Sequence, residues 1–416
     1  MRIPLSLARA AALAFISAMG LAPIPAQALS LATVESLAMQ HNPSLAAARQ
    51  GIAIARGLAR QDRLWPDPRL NVSGGTGNAL GSPGEFSTRV LLTQPIPLTS
   101  RIARHAAVGR SGVREAYARL QTRVWQVRGL VALAYARWRS ATRAVIEVTH
   151  LITSEQVLMH LVATQVRAAQ ISPVGASGVQ LLGAQARLLR ETWRTRRHEA
   201  KAALIALIGY RPPRPWSVPR PLRWRAPALA VALAHRADLR LAKADRRYRQ
   251  SVRRYQRARR LGWMTIGAGV ALDRQVLQGV PPQPIDRSIE LSASLPLPFW
   301  NRNQGNRSAA AAQVVQAQAR VRALRWHIRH TVARDFFTLQ RLQTREQGLA
   351  RLREQAQRAG ALALQGLRLG QIHTASTLAV FTDQLTLTTA WLKTCASISD
   401  TRTALRIALG GPKETP

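Results

Sequence analysis

The chain of 416 residues carries 60 Lys and Arg against 20 Asp and Glu, a formal net charge of +40, and is 47% hydrophobic but only 5% aromatic. That length admits two or three ordinary domains or one large repeated one, and a composition rich in Ala, Leu, Gln and Arg favours long helices over a compact sandwich. So large a charge ordinarily points to nucleic acid or an anionic surface, but the arginines run along nearly the whole chain with no zinc-finger spacing or helix-turn-helix signature to focus them, so nucleic acid is not expected as a partner.

Residues 1–28 read as a signal peptide: Met1-Arg2 precede an apolar stretch from about Ala10 to Ile24, and Ala26-Gln27-Ala28 supplies the small residues a signal peptidase needs, with cleavage after Ala28. The alternative, an N-terminal membrane anchor, is disfavoured by the shortness of that stretch and by Pro23 and Pro25. Beyond it no run of about 18 uncharged apolar residues occurs, so any crossing of a bilayer must use strands. Cys395 has no second cysteine to pair with, and Trp391, Leu392 and Ile398 around it mark a small packed residue rather than a reactive thiol.

The mature chain repeats itself. A first half at 29–210 and a second at 228–411 carry the same signals in the same order, separated by a Pro-rich linker at 211–227 and followed by a tail at 412–416. Asn42-Pro43-Ser44-Leu45 corresponds to Arg236-Ala237-Asp238-Leu239, Gln94-Pro95-Ile96-Pro97-Leu98 to Leu295-Pro296-Leu297-Pro298-Phe299, Gln170-Ile171 to Gln371-Ile372, and Leu207-Ile208-Gly209 to Ala408-Leu409-Gly410. Each half holds two segments with period-two alternation, expected as strands at about 69–76 and 85–94, then at about 263–273 and 285–295. Leu70, Val72, Val90 and Leu92 fall on one side, as do Ile266, Val270, Ile289 and Leu291. Segments of about 10 residues with one apolar face can cross an outer membrane when tilted, although a single such hairpin also suits a soluble protein.

After each second strand the Pro-x-Pro element is expected to stop the sheet, with Thr99, Ser100 or Asn301 available to cap the helix that follows. The junction residues are Pro95 and Pro97 in the first half and Pro296, Pro298, Asn301, Arg302 and Gly305 in the second. Helical hairpins are expected at about 98–209 and 301–409. Their first arms, Pro-free for nearly 70 residues, would reach about 100 Å at 1.5 Å per residue. Val321, Leu324, Ile328, Val332, Phe336, Leu339 and Leu342 step by three or four, the spacing of a coiled-coil seam. The hairpins turn at two tips, Gln170-Ile171-Ser172-Pro173 and Gly370-Gln371-Ile372-His373-Thr374, which are the surfaces presented to a partner or simply breaks that permit the turn.

This ordered set resembles the TolC-like outer membrane factor (outer membrane efflux protein) family over essentially the whole mature chain. The segment Leu295-Pro296-Leu297-Pro298-Phe299-Trp300-Asn301-Arg302-Asn303-Gln304-Gly305-Asn306 and the tip Ile171-Ser172-Pro173 look like its heavy-metal efflux branch. The resemblance implies a homotrimer in which each protomer gives four strands to one twelve-stranded barrel in outer-membrane lipid, continuous with a periplasmic α-helical barrel. It also implies a periplasmic adaptor (membrane fusion) protein and an inner-membrane resistance-nodulation-division pump as partners, with the adaptor docking at the tips. Trp263, Phe299 and Trp300, at strand ends, are expected at the membrane interface, where amphipathic rings favour the headgroup level, or packed in the strand-to-helix bend. One departure stands out: no acid follows Gly370 until Asp383, so the acidic constriction common at family tips is missing there.

Residues that would carry chemistry are scarce. His327 and His330 share a helical face, but Arg325 and Arg329 flank them and no carboxylate or thiolate completes a ligand set, so no metal site or cofactor is expected. Gly267-x-Gly269 lies in a strand and opens no helix, so it is not a nucleotide loop. No catalytic triad or paired catalytic carboxylate is recognisable, and the expectation is a duct rather than an enzyme. The rival is a secreted basic coiled-coil protein binding an anionic surface, which leaves the duplicated hairpins unexplained.

Overall fold

The computed structural model describes residues 30–77, 84–209, 233–276, 281 and 283–410, with backbone alone at 174 and 175. The expected signal segment with Ala26 and Ala28, the linker at 211–227, the tail at 412–416 and part of the first hairpin loop lie outside them. The elements run in the order α1 (Leu31–His41), α2 (Pro43–Gln61), β1 (Arg69–Thr76), β2 (Phe86–Pro97), α3 (Arg101–Arg167), α4 (Pro173–Ile208), α5 (Ala237–Ala258), β3 (Trp263–Arg274), β4 (Asp286–Ser294), α6 (Gln304–Arg368) and α7 (Thr374–Ala408). They divide into a sheet unit, Ser44–Trp125 with Ala228–Thr331, and a helical unit built from the remaining stretches.

In the sheet unit four strands form one antiparallel sheet in the order β1-β2-β3-β4. The alternation seen in sequence sets its register: Leu70 pairs with Leu92, Leu92 with Ala268 and Ala268 with Leu291, and the next row on that face is Val72, Val90, Val270 and Ile289. A period of two would turn every one of these side chains to the other face if any strand slipped by one residue.

The first Pro-x-Pro element does not stop the sheet as expected. β2 continues to Pro97, pairing Pro95 with Thr265 and Pro97 with Trp263. β1 begins at Arg69 opposite Thr93, so beyond Thr93 the β1 side of β2 is open. The two prolines, two residues apart, direct their missing donors to one side, and on the open side no ladder bond is lost. In the second half β4 ends at Ser294, and Pro296 and Pro298 lie outside the strand.

The helical unit takes residues 126–167 of α3, α4, residues 332–368 of α6, and α7. Leu158, Ala186 and Val148 are closed off from solvent, and Phe381 is 1% exposed in the same core. α1 belongs here: Ser30 Oγ accepts from the Thr33 amide at 3.2 Å as its N-cap, and the Asn42 side-chain amide at its end donates to the Leu207 carbonyl at 2.8 Å.

The expected seam of α6 needs one correction. Val321 and Ile328 are buried, but Phe336 is exposed and Asp335 takes the buried place. Val314, Val321, Ile328 and Asp335 recur every seven residues, and a neighbour one position on is rotated by about 100° around a helix of 3.6 residues per turn. Phe336 and Phe337 therefore stand outward as an edge-to-face pair at 6.3 Å, while Arg334 donates to the Asp335 carboxylate at 2.9 Å.

Candidate functional site

Three features of the chain bear on function: the sheet's two faces, the strand-to-helix junctions and the helix tips. The apolar face of the sheet is open among the described residues. Ile289 and Leu291 are each 82% exposed, and Leu70 and Val72 65% and 66%, together forming a contiguous apolar face rather than isolated surface hydrophobics. The opposite face is polar. There Arg89 Nε donates to the Glu290 carboxylate at 2.7 Å, from β2 to β4 across β3. The register puts Ala271 beside Arg89 and Gly269 beside Glu290. Small residues on β3 leave room for the bridge to cross. β1 and β4 end the sheet with unpaired edges within the chain.

At the junctions both halves close on one place, the last turn of α5. Thr99 Oγ1 donates to the Ala258 carbonyl at 2.7 Å, and the Asn303 side-chain amide donates to the Gln256 carbonyl at 2.9 Å. Thr99 thus satisfies the end of α5 rather than the start of α3, one of the carbonyls a helix leaves without an intrahelical partner. Asn301 Oδ1 accepts from the Asn303 amide at 3.0 Å, Gln304 Oε1 accepts from the Arg302 amide at 2.8 Å, and Arg302 Nε donates to the Pro298 carbonyl at 3.2 Å. Asn303 holds φ at 57°, a left-handed conformation that Asn tolerates better than most residues. A Cβ on Gly305 would meet nothing within 4 Å, so its lack of a side chain is not sterically required.

The three aromatics do not share one setting. Trp263 opens β3 and is half-buried, with the Arg101 guanidinium 4.7 Å from its ring centroid. Phe299 and Trp300 are exposed, the latter by 87%, and meet edge to face at 6.1 Å.

The tips share one turn geometry. At the first, the Ala169 amide donates to Val166 O at 3.0 Å and the Gln170 amide to Gln165 O at 2.9 Å; at the second, Gly370 donates to Leu367 O at 3.3 Å and Gln371 to Gly366 O at 2.8 Å. This is the Schellman arrangement, which places one residue in the left-handed region. Gly370 does so at φ 71° without strain, whereas Ala169 does so at 55° against its own Cβ. Ile171 and Ile372 are half-buried, while Gln170, Ser172, Pro173, Gln371 and His373 face solvent. Pro173 is the first residue of α4, where a missing amide costs nothing. His373 precedes α7, whose first residue is Thr374, and makes no side-chain cap bond. Gln165 Nε2 donates to the Leu367 carbonyl at 3.4 Å, joining the two tips side by side.

His330 packs on Trp326 with ring centroids 4.1 Å apart, and both it and His327 are exposed. Among the described residues no group of three His, Cys, Asp or Glu side chains is placed to hold a metal. Two features had no signal in the sequence. Glu155 of α3 is 2% exposed with neither carboxylate oxygen hydrogen-bonded. Burial pushes its pKa up to about 7, with Arg187 pulling the other way. Its neighbours in sequence, Ser154 and Gln156, make it read as part of an ordinary polar stretch of helix. The Arg89–Glu290 bridge likewise joins residues whose halves had to be aligned first.

Residues 228–411 match the family model described as Outer membrane efflux protein. No curated protein matches the chain in sequence. Solved structures match it in fold. A membrane protein from Pseudomonas aeruginosa is 20% identical, with a TM-score of 0.76, covering 91% of this chain and 93% of that one. CusC, described as forming a transmembrane channel, is 17% identical at 0.75, covering 92% of each chain. The outer membrane protein VceC from Vibrio cholerae is 20% identical at 0.73, covering 92% of this chain and 97% of that one. The chain therefore has the fold of outer-membrane efflux channels, and its second half carries the sequence pattern of the outer membrane efflux protein family.

Proposed function

We propose that the chain is one protomer of an outer-membrane efflux duct of that family, with a long periplasmic helical extension. Three copies close a twelve-stranded barrel, and the helices continue it toward an inner-membrane pump and its periplasmic adaptor, whose substrates the duct conducts passively. The observation that carries this reading is the sheet: an exposed apolar face, a polar face braced by Arg89 and Glu290, and two open edges. A membrane tolerates such a sheet only when it is closed, because unpaired backbone groups have no water to bond. The rival, a secreted basic coiled-coil protein, has no use for an apolar sheet face. The halves 29–210 and 228–411 are read as structural repeats, each giving one hairpin to the barrel and one helical hairpin to the duct.

The finer assignments rest on the sequence. The stretch Leu295–Asn306 supports the heavy-metal branch and a resistance-nodulation-division pump, so metal ions are the substrates to test first. Phe299 and Trp300 suit the membrane interface because their rings are exposed, whereas Trp263 is held at the bend by Arg101. The tips, Gln170 to Pro173 and Gly370 to Thr374, are the adaptor-docking surface. Cross-linking in detergent is expected to give a trimer, and a stable monomer in membranes would refute the architecture. Replacing Ile171, Gln371 and His373 by Asp is expected to leave the trimer intact and abolish efflux. Variants that assemble and export as well as the parent would remove docking from the tips.

A further inference from the structure

The helical unit contains a partly open cavity of about 490 Å³ between α3 and α7, with Glu346 of α6 at one side. Two arginines of α3 one turn apart, Arg139 and Arg143, line it together with Arg402 of α7. None of the three pairs with a carboxylate among the described residues. Burial and then the guanidinium of Arg143 hold Arg139 below its ordinary range; Tyr135 opposes this and Arg402 adds to it. Arg143 and Arg402 are exposed to solvent beside the half-buried Arg139, so like charges converge on that guanidinium, an arrangement an entering anion would relieve.

Two carboxylates, Glu147 and Glu346, line the same cavity, and both are already engaged. Glu147 accepts from Arg353, and Glu346 accepts from Trp391 Nε1 at 3.1 Å, with the Arg353 guanidinium stacked 4.2 Å from the Trp391 ring. On α7, one turn before Arg402, the Ser399 hydroxyl oxygen is buried with no hydrogen-bond partner and lines the same cavity. The rest of the lining is largely apolar, including Ile146 and Ile398, and Cys395 sits among it with its thiol pushed up to about 11 by burial first. A bare inorganic oxyanion would fill a small part of this space, since drug-sized ligands occupy pockets of about 300–1,000 Å³.

We propose that this cavity binds a small organic anion. Arg139, Arg143 and Arg402 hold its carboxylate or sulfonate, Ser399 donates its hydroxyl hydrogen to it, and Ile146 and Ile398 cover its apolar body. The site belongs to the helical unit alone, so it stands or falls separately from the duct reading.

The test uses the full-length chain in a non-ionic detergent, with benzoate as the probe and benzyl alcohol as its neutral counterpart. Calorimetry is expected to show benzoate binding that weakens about ten-fold or more in Arg139→Gln and in Arg402→Gln, the loss typical of one charge-assisted hydrogen bond, with no binding of benzyl alcohol. Cys395 locates the site. An anionic methanethiosulfonate should modify it faster than a cationic one, the ratio should fall several-fold in the double variant Arg139→Gln/Arg402→Gln, and benzoate should slow the reaction. Absence of benzoate binding, equal binding by the double variant, or a thiol that reacts at full rate under saturating benzoate would each overturn the proposal. Sulfate binding as tightly as benzoate would overturn the organic-ligand assignment. If the thiol reacts with neither reagent, calorimetry on the variants decides alone.

Discussion

The sheet unit and the helical unit treat the same kinds of residue in opposite ways. In the helical unit Leu158 and Phe381 vanish into a core made by paired helices of the same chain. In the sheet unit Ile289, Leu291, Leu70 and Val72 stand open on one face while the other face carries charge. An apolar stripe on a helix finds its complement in the next helix, but a single-layer sheet with one polar face has no second layer to bury the other. Hydrophobic side chains in this protein thus mark two settings, a core closed by the chain itself and an open sheet face that the proposed barrel would turn to lipid.

Five substitutions would break or sharpen that contrast. Phe381→Ala empties the helical core and should destabilise it by about 3–5 kcal/mol, read as a fall in thermal midpoint, because a cavity is left where the ring packed. Ile289→Arg should cost about 2–4 kcal/mol, but only where lipid meets the sheet. Its signature is failed insertion into vesicles, and normal insertion would show that this face does not contact hydrocarbon.

A smaller effect is expected at Glu155, whose folded pKa of about 7 lies above the ordinary 4.5. Between those values the folded chain keeps a proton that the unfolded chain releases, so stability falls as pH rises through that window. Glu155→Gln should remove that dependence, gaining up to about 3 kcal/mol at pH 8 and nothing at pH 4. Denaturant curves at the two pH values check it, and an equal shift at both would exclude ionisation as the cause. The smallest effect concerns the tips, where the same turn is made by different residues. Gly370→Ala should cost about 1 kcal/mol and Ala169→Gly gain rather less, since relief of left-handed strain is offset by a more flexible unfolded chain. Should both changes destabilise alike, strain at Ala169 would not be the difference.

The sequence by itself determined the features that depend on near neighbours. Pro-free runs set the arms of α3 and α6, period-two alternation placed the four strands, and Gly370 with Pro173 marked the turns. In each case a few adjacent residues fix the backbone, so the signal is local. Tertiary structure decided what depends on distant partners. Arg89 meets Glu290 over a separation of 201 residues, and Thr99 and Asn303 find the same end of α5 from opposite halves. Pro95 and Pro97 stay in the sheet because β1 has already ended beside them, a fact their own sequence does not contain. The exchange of Phe336 for Asp335 in the seam of α6 has the same origin: a step of three or four fits two neighbouring positions on a helix, and only the packing against other segments selects which one turns inward.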